Sequence, residues 1–162
     1  MHPDYDPTSG SYDLALVELT MPMTLSAGTV ELAIIAKDEL FLQRVYTGNK
    51  KCKFAGWGKT ESTEYGSTVL QELIVKAVSD DECEAHGYKI VEPNFCWKAK
   101  KGRRAPCDGD DGGPIVCRNR GAWEVVGVHV RNPPGDDCTE GIKGAAKTAP
   151  VLFWINENIY SN

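Results

Sequence analysis

No run of apolar residues in the 162-residue sequence approaches the length of a bilayer span, which argues against a membrane-crossing helix. The start, Met1-His2-Pro3-Asp4, has neither the basic residues nor the apolar stretch of a secretory signal. The expectation is that a signal was removed with upstream sequence or was not encoded here. There is no surplus of positive charge: 18 Lys and Arg against 23 Asp and Glu leave a formal charge of −5. Nucleic acid and anionic membranes are therefore not expected as main partners. No Cys-x-x-Cys pair and no histidine at zinc-ligand spacing is present, which speaks against a structural metal. No Asn-x-Ser/Thr sequon marks a glycosylated surface. Internal repeats, linkers and low-complexity stretches are also lacking.

What is there is an ordinary globular composition, 41% apolar and 25% charged, enough for one compact domain or two small barrels sharing an interface. Six cysteines stand at positions 52, 83, 96, 107, 117 and 138. An even number without metal-site spacing favours three disulfides and an oxidising, extracellular setting, though spacing alone leaves the pairing open.

Short apolar runs separated by turn signals dominate. Residues 12–19 alternate loosely, 52–57 form a run closed by Gly58, and 69–78 and 123–130 are rich in β-branched residues. Gly48-Asn49, Tyr65-Gly66, Gly112-Gly113-Pro114 and Asn132-Pro133-Pro134-Gly135 supply the turns. This spacing predicts an all-β fold, an antiparallel barrel or sandwich. Two helices are expected. One starts at Ser79, with Glu82 completing a capping box. The other runs from Val151 to Tyr160 behind Pro150. The basic run Lys98-Ala99-Lys100-Lys101-Gly102-Arg103-Arg104 reads as a solvated loop.

The segment Cys107-Asp108-Gly109-Asp110-Asp111-Gly112-Gly113-Pro114-Ile115-Val116-Cys117 resembles the C-x-G-D-S-G-G-P-x-x-C signature of the trypsin/chymotrypsin-like serine proteases. Tyr12-Asp13-Leu14-Ala15-Leu16 is similar to the family's strand carrying the triad aspartate, and Ala55-Gly56-Trp57-Gly58 to its G-W-G turn. Trp123 to Val128 looks like the strand leading to the specificity pocket, and Trp154-Ile155 falls in the terminal helix. The resemblance implies a double antiparallel β-barrel, with the second barrel complete (48–150) and only the end of the first present (1–47). A short intermediate helix and a C-terminal helix (151–162) accompany it. It also implies the disulfides Cys52–Cys117, Cys83–Cys96 and Cys107–Cys138.

The same resemblance assigns roles. Acyl transfer in this family needs a serine nucleophile, a histidine base, an orienting aspartate and an oxyanion hole. Asp13 matches the orienting aspartate. Asp111 stands where the nucleophilic serine would be, and Gly109 and Asp111 would supply the backbone N–H groups of the hole. A carboxylate there places negative charge where negative charge must develop, and loss of even one neutral donor costs about 3–4 kcal/mol. The family's A-A-H-C segment is absent, and His2, His86 and His129 are not expected to replace its base. Asp110 matches the aspartate that pairs with the terminus freed on activation, and is expected to turn to solvent or a backbone donor. The specificity pocket would be built from Ala105, Pro106, His129, Val130, Arg131 and Asn132. Ala105 replaces the aspartate that selects basic substrates, and Arg131 could cap the cleft. The Asp108, Asp110, Asp111 cluster misses the EF-hand register, so neither metal nor cofactor is expected.

The first-barrel remnant, at residues 12–19 and 36–46, is expected as strands with unpaired edges and an apolar face, prone to instability or self-association. Met1 directly before a mid-domain loop suggests truncation. The resulting expectation is a secreted serine protease homologue without catalysis, acting on a protein partner as decoy, cofactor or regulator. The alternative is a truncated or mutated form of a secreted endopeptidase.

Overall fold

The structure is a computed structural model and describes residues 1–60, 65–99, 105–130 and 141–160. Among these, six strands form a closed antiparallel barrel: β2 (Cys52–Gly56), β3 (Gln71–Ala77), β4 (Asn94–Ala99), β5 (Pro114–Asn119), β6 (Ala122–His129) and β7 (Ile142–Lys147). The order around the wall is β6-β5-β2-β3-β4-β7, and β7 returns to pair with β6. A two-residue strand, β1 (Ile34–Ile35), is added to β6 in parallel.

Alternation fixes which face of each strand turns inward. In β2, Cys52 and Phe54 are buried while Lys53 is only partly so; in β5, Ile115 and Cys117 are buried and Arg118 is exposed. Phe54, Trp97, Ile115, Val126 and Ala145 fill the barrel. The Phe54 and Trp97 rings lie 5.3 Å apart, and the buried Trp97 donates its indole N–H to the Gly144 carbonyl at 3.2 Å. A tryptophan can fill such a core only when that polar edge is satisfied.

Cys52 sits directly opposite Cys117 across the β2–β5 ladder, 4.3 Å between Cα atoms, and the two form a disulfide. A second disulfide, Cys83–Cys96, ties the short helix α2 (Asp80–Ala85) to β4. Cys107 is disulfide-bonded as well. Its expected partner, Cys138, lies outside the described residues.

The Ser79 hydroxyl caps α2 by accepting the Glu82 N–H at 3.2 Å. The expected box is half formed: the Glu82 carboxylate goes to Lys98 on β4 and not back to the cap. The C-terminal helix, α3 (Leu152–Tyr160), begins just after Pro150 and buries Val151 and Ile155 at its start.

The first-barrel strands expected at residues 12–19 and 36–46 do not form. Residues 13–19 make no ladder, and Val17 and Leu19 are 84% and 56% exposed. Glu39–Tyr46 is instead a third helix, α1, which the sequence reading did not anticipate. Asp38 caps it by accepting the Phe41 N–H at 3.0 Å. Phe41, Leu42 and Val45 are buried on one face, and Tyr46 donates its hydroxyl to the Val126 carbonyl at 2.8 Å. Without a neighbouring strand, the local helix satisfies its own backbone and still buries the apolar set on the barrel wall.

Candidate functional site

The turn between Cys107 and Pro114 is built around one buried side chain. Asp110, 9% exposed, accepts the Gly58 N–H at 2.8 Å through Oδ1 and the Cys107 N–H at 3.0 Å through Oδ2. A backbone donor thus takes the place of the terminus that the resemblance implies. The carboxylate occupies the space in front of Gly56 and Gly58, where a Cβ on either residue would collide with it. That steric demand explains both glycines of the Gly56-Trp57-Gly58 turn.

Gly109 and Gly112 carry φ values of +91° and +81°, a region costly for a residue with a Cβ. Gly113 lets the turn lie against the barrel core: a Cβ there would stand 2.7 Å from the Phe54 ring. The turn is pinned to the end of β6, with Gly112 N donating to the His129 carbonyl at 2.9 Å and His129 N to the Gly113 carbonyl at 2.8 Å. The Gly109 and Asp111 N–H groups, the expected hole donors, donate to no acceptor among the described residues and sit on exposed positions.

Asp111 is exposed at the head of this turn. Its charge reaches Asp13, whose carboxyl is pushed above the usual range, first by partial burial and second by the Asp111 carboxylate. The two aspartates are thus brought into one electrostatic neighbourhood, and no cation pairs with either among the described ion pairs.

The three histidines are otherwise engaged. His2 is buried, stacked on Tyr12 at 4.6 Å and tilted against Trp154 at 4.6 Å. His86 ends α2, with Nδ1 2.8 Å from the Glu82 carbonyl. His129 is 1% exposed, edge-on to Phe54 and Trp97 at 5.6 and 5.5 Å. Its Nδ1 lies 3.0 Å from the Gly144 carbonyl, which fixes the proton on that nitrogen and leaves Nε2 buried without a partner. Burial holds the ring below its ordinary pKa; the Gly144 hydrogen bond and the Asp111 and Asp110 charges oppose this. The imidazole is thus held in the core by the Gly144 carbonyl and the Phe54 and Trp97 rings.

Two of the expected pocket residues, Ala105 and Val130, line separate cavities. Ala105 and Asp110 line a cavity of about 310 Å³ with Phe54, Gly56, Gly58 and Leu73. Val130 and Asp13 line another of about 580 Å³ with Tyr88, Asn94 and Phe95. Pro106 is fully buried. Arg131 and Asn132 lie outside the described residues, as do positions 100–104 of the basic run. Asn94 was not anticipated; its Oδ1 is buried without a partner, and nothing in the sequence around it signals this. Nor was Gly144, whose carbonyl orders both Trp97 and His129. No group of three His, Cys, Asp or Glu side chains among the described residues could hold a metal ion.

A family model described as Trypsin matches residues 1–155. The chain is similar to Limulus clotting factor C of Carcinoscorpius rotundicauda and to clotting factor C of Tachypleus tridentatus. Each is 31% identical to it over 171 aligned positions. Those alignments take in 98% of this chain but 16% of either relative, so the chain spans about a sixth of the length of the proteins it matches. With the closed six-stranded barrel and the 107–113 turn, the family match over nearly the whole length establishes that the chain belongs to the trypsin family.

Proposed function

We propose that this protein is a secreted trypsin-family homologue that does not hydrolyse peptide bonds and acts by binding another protein, as decoy, cofactor or regulator of proteolysis. The observation that carries the reading is Asp111. In the family it would be the nucleophilic serine; here a carboxylate stands at the head of the turn, beside the Gly109 and Asp111 N–H groups, which have no acceptor among the described residues. Attack by a carboxylate on a peptide carbonyl would give a labile anhydride, and the developing oxyanion would face a resident negative charge. The cysteines, and relatives named as clotting factors, support an extracellular setting.

Function would then reside in surface recognition, since a fold does not by itself assign an activity. A second reading has its own support: the turn keeps its positive-φ glycines and open N–H groups, as a protease silenced at one position would. A mixed peptide pool incubated with the purified chain, read by mass spectrometry, is expected to gain no cleavage products. In parallel, the chain is added to trypsin held by a limiting protein inhibitor, where recovery of trypsin activity is expected from a decoy. New cleavage products would sink the inactive reading, and unrelieved inhibition the decoy.

A further inference from the structure

We propose that the free edge of β1 pairs with the same edge of a second copy of this chain, as an antiparallel two-fold ladder centred on Ile34. The inference stands independently of whether the protein is catalytic. β1 is the outermost strand of the sheet, bonded on one side only, to β6, with Ile34 opposite Glu124 and Ile35 opposite Val125. Ala36 N donates to the Val125 carbonyl at 2.9 Å. In a parallel ladder alternate residues direct N–H and C=O to the same neighbour. Residues 34 and 36 therefore serve β6, while Ala33, Ile35 and Lys37 direct their backbone groups outward. Those outward groups have no backbone partner among the described residues.

The edge has few of the features that normally blunt one. It holds no proline, and Leu32 and Ile34 are 78% and 52% exposed. Its only charges are Glu31 and Lys37 at the two ends. Neither makes an ion pair among the described residues, and Glu31 accepts the Gly28 N–H through one carboxylate oxygen, leaving the other open.

Self-pairing must join outward-facing residues to outward-facing residues, which restricts the register. A two-fold axis at Ile34 sets Ala33 against Ile35 of the second copy and Glu31 against its Lys37, twice by symmetry. Moving the axis to Ile35 sets Glu31 against Glu39, a repulsive pair; moving it to Ala33 sets Glu31 against Ile35 and Lys37 against Thr29. Opposite charges face each other only in the first arrangement, which also stacks Ile34 on its counterpart at the close, non-hydrogen-bonded spacing. The edge is thus complementary to itself, the property a two-fold interface requires. Because β7 closes the barrel on β6, the described strands offer no second free sheet edge, and the assembly stops at the dimer.

Sedimentation velocity on the intact chain over a range of concentrations tests this. A monomer–dimer equilibrium is expected. Glu31→Lys, which turns two attractive pairs into repulsive ones, should raise the dissociation constant about tenfold, and Glu31→Lys with Lys37→Glu should restore it. Ile35→Pro removes one outward N–H while sparing both β6-facing residues, and should yield monomer with an unchanged near-ultraviolet spectrum. If that variant misfolds, the charge-swap pair decides alone. A chain monomeric at every concentration would overturn the proposal and leave the edge to another protein or to further sequence. Open-ended aggregation, or a dimer indifferent to the swap and its reversal, would overturn it equally.

Discussion

Replacing Asp110 with alanine removes the side chain on which the whole 107–113 turn is hung. Its two oxygens take the N–H groups of Gly58 and Cys107 at 2.8 and 3.0 Å from a site 9% exposed. Each hydrogen bond to a charged group contributes roughly 1.5–3 kcal/mol, and the alanine leaves both donors without an acceptor. Water entering from the adjacent cavity of about 310 Å³ can recover part of the loss. The expected destabilisation is therefore about 3 kcal/mol, at the low end of the summed range. Asp110→Asn retains one acceptor for Gly58 but turns an NH₂ group toward the Cys107 N–H, so about 2 kcal/mol is expected. Urea denaturation under non-reducing conditions, followed by tryptophan fluorescence at one protein concentration, reads both through the midpoint at constant slope. The order native, Asp110→Asn, Asp110→Ala is predicted. An alanine variant within about 1 kcal/mol of native, with unchanged slope, would refute the view that this carboxylate anchors the turn.

Other consequences follow from the same packing. Gly113→Ala should cost about 1–3 kcal/mol in the same assay, because the added methyl must displace the Phe54 ring in the barrel core. His129, buried neutral, has a folded pKa below its ordinary 6.5. The unfolded chain therefore binds the extra proton first, and stability should fall as pH drops below 6.5, by up to roughly 1.4 kcal/mol per pH unit. His129→Gln should flatten that slope in urea midpoints measured between neutral and mildly acid pH, and an unchanged slope would show that another group titrates.

The barrel was legible in the sequence where local and long-range signals agreed. The runs at 52–57, 69–78 and 123–130 became β2, β3 and β6, short apolar or β-branched stretches whose ends carry turn chemistry. β7 gives no such signal. Ile142-Lys143-Gly144-Ala145-Ala146-Lys147 is small and partly charged, and is a strand only because the barrel must close between β4 and β6 around the Phe95 and Trp97 side chains.

Residues 39–46 misled in the opposite sense. Placed in a strand by resemblance, they carry an Asp38 cap and a helical apolar face, and those local features prevailed where no strand neighbour was available. The site was legible as a motif, since the glycines and aspartates of residues 107–113 are spaced by backbone demands that a sequence displays openly. That Asp110 reaches Gly58, and that His129 is buried on Gly144, depend on contacts 52 and 15 residues away along the chain and are visible only in three dimensions.

Whether the carboxylate at position 111 stands in for a reactive serine is read by covalent labelling with a fluorophosphonate probe. The native chain, its Asp111→Ser variant and active trypsin are run side by side. The native chain is predicted to remain unlabelled while trypsin reacts. The variant is predicted to remain unlabelled too, because His2, His86 and His129 are engaged elsewhere. Labelling of the Asp111→Ser variant alone would favour a protease silenced at a single position. Labelling of the native chain would contradict the account outright.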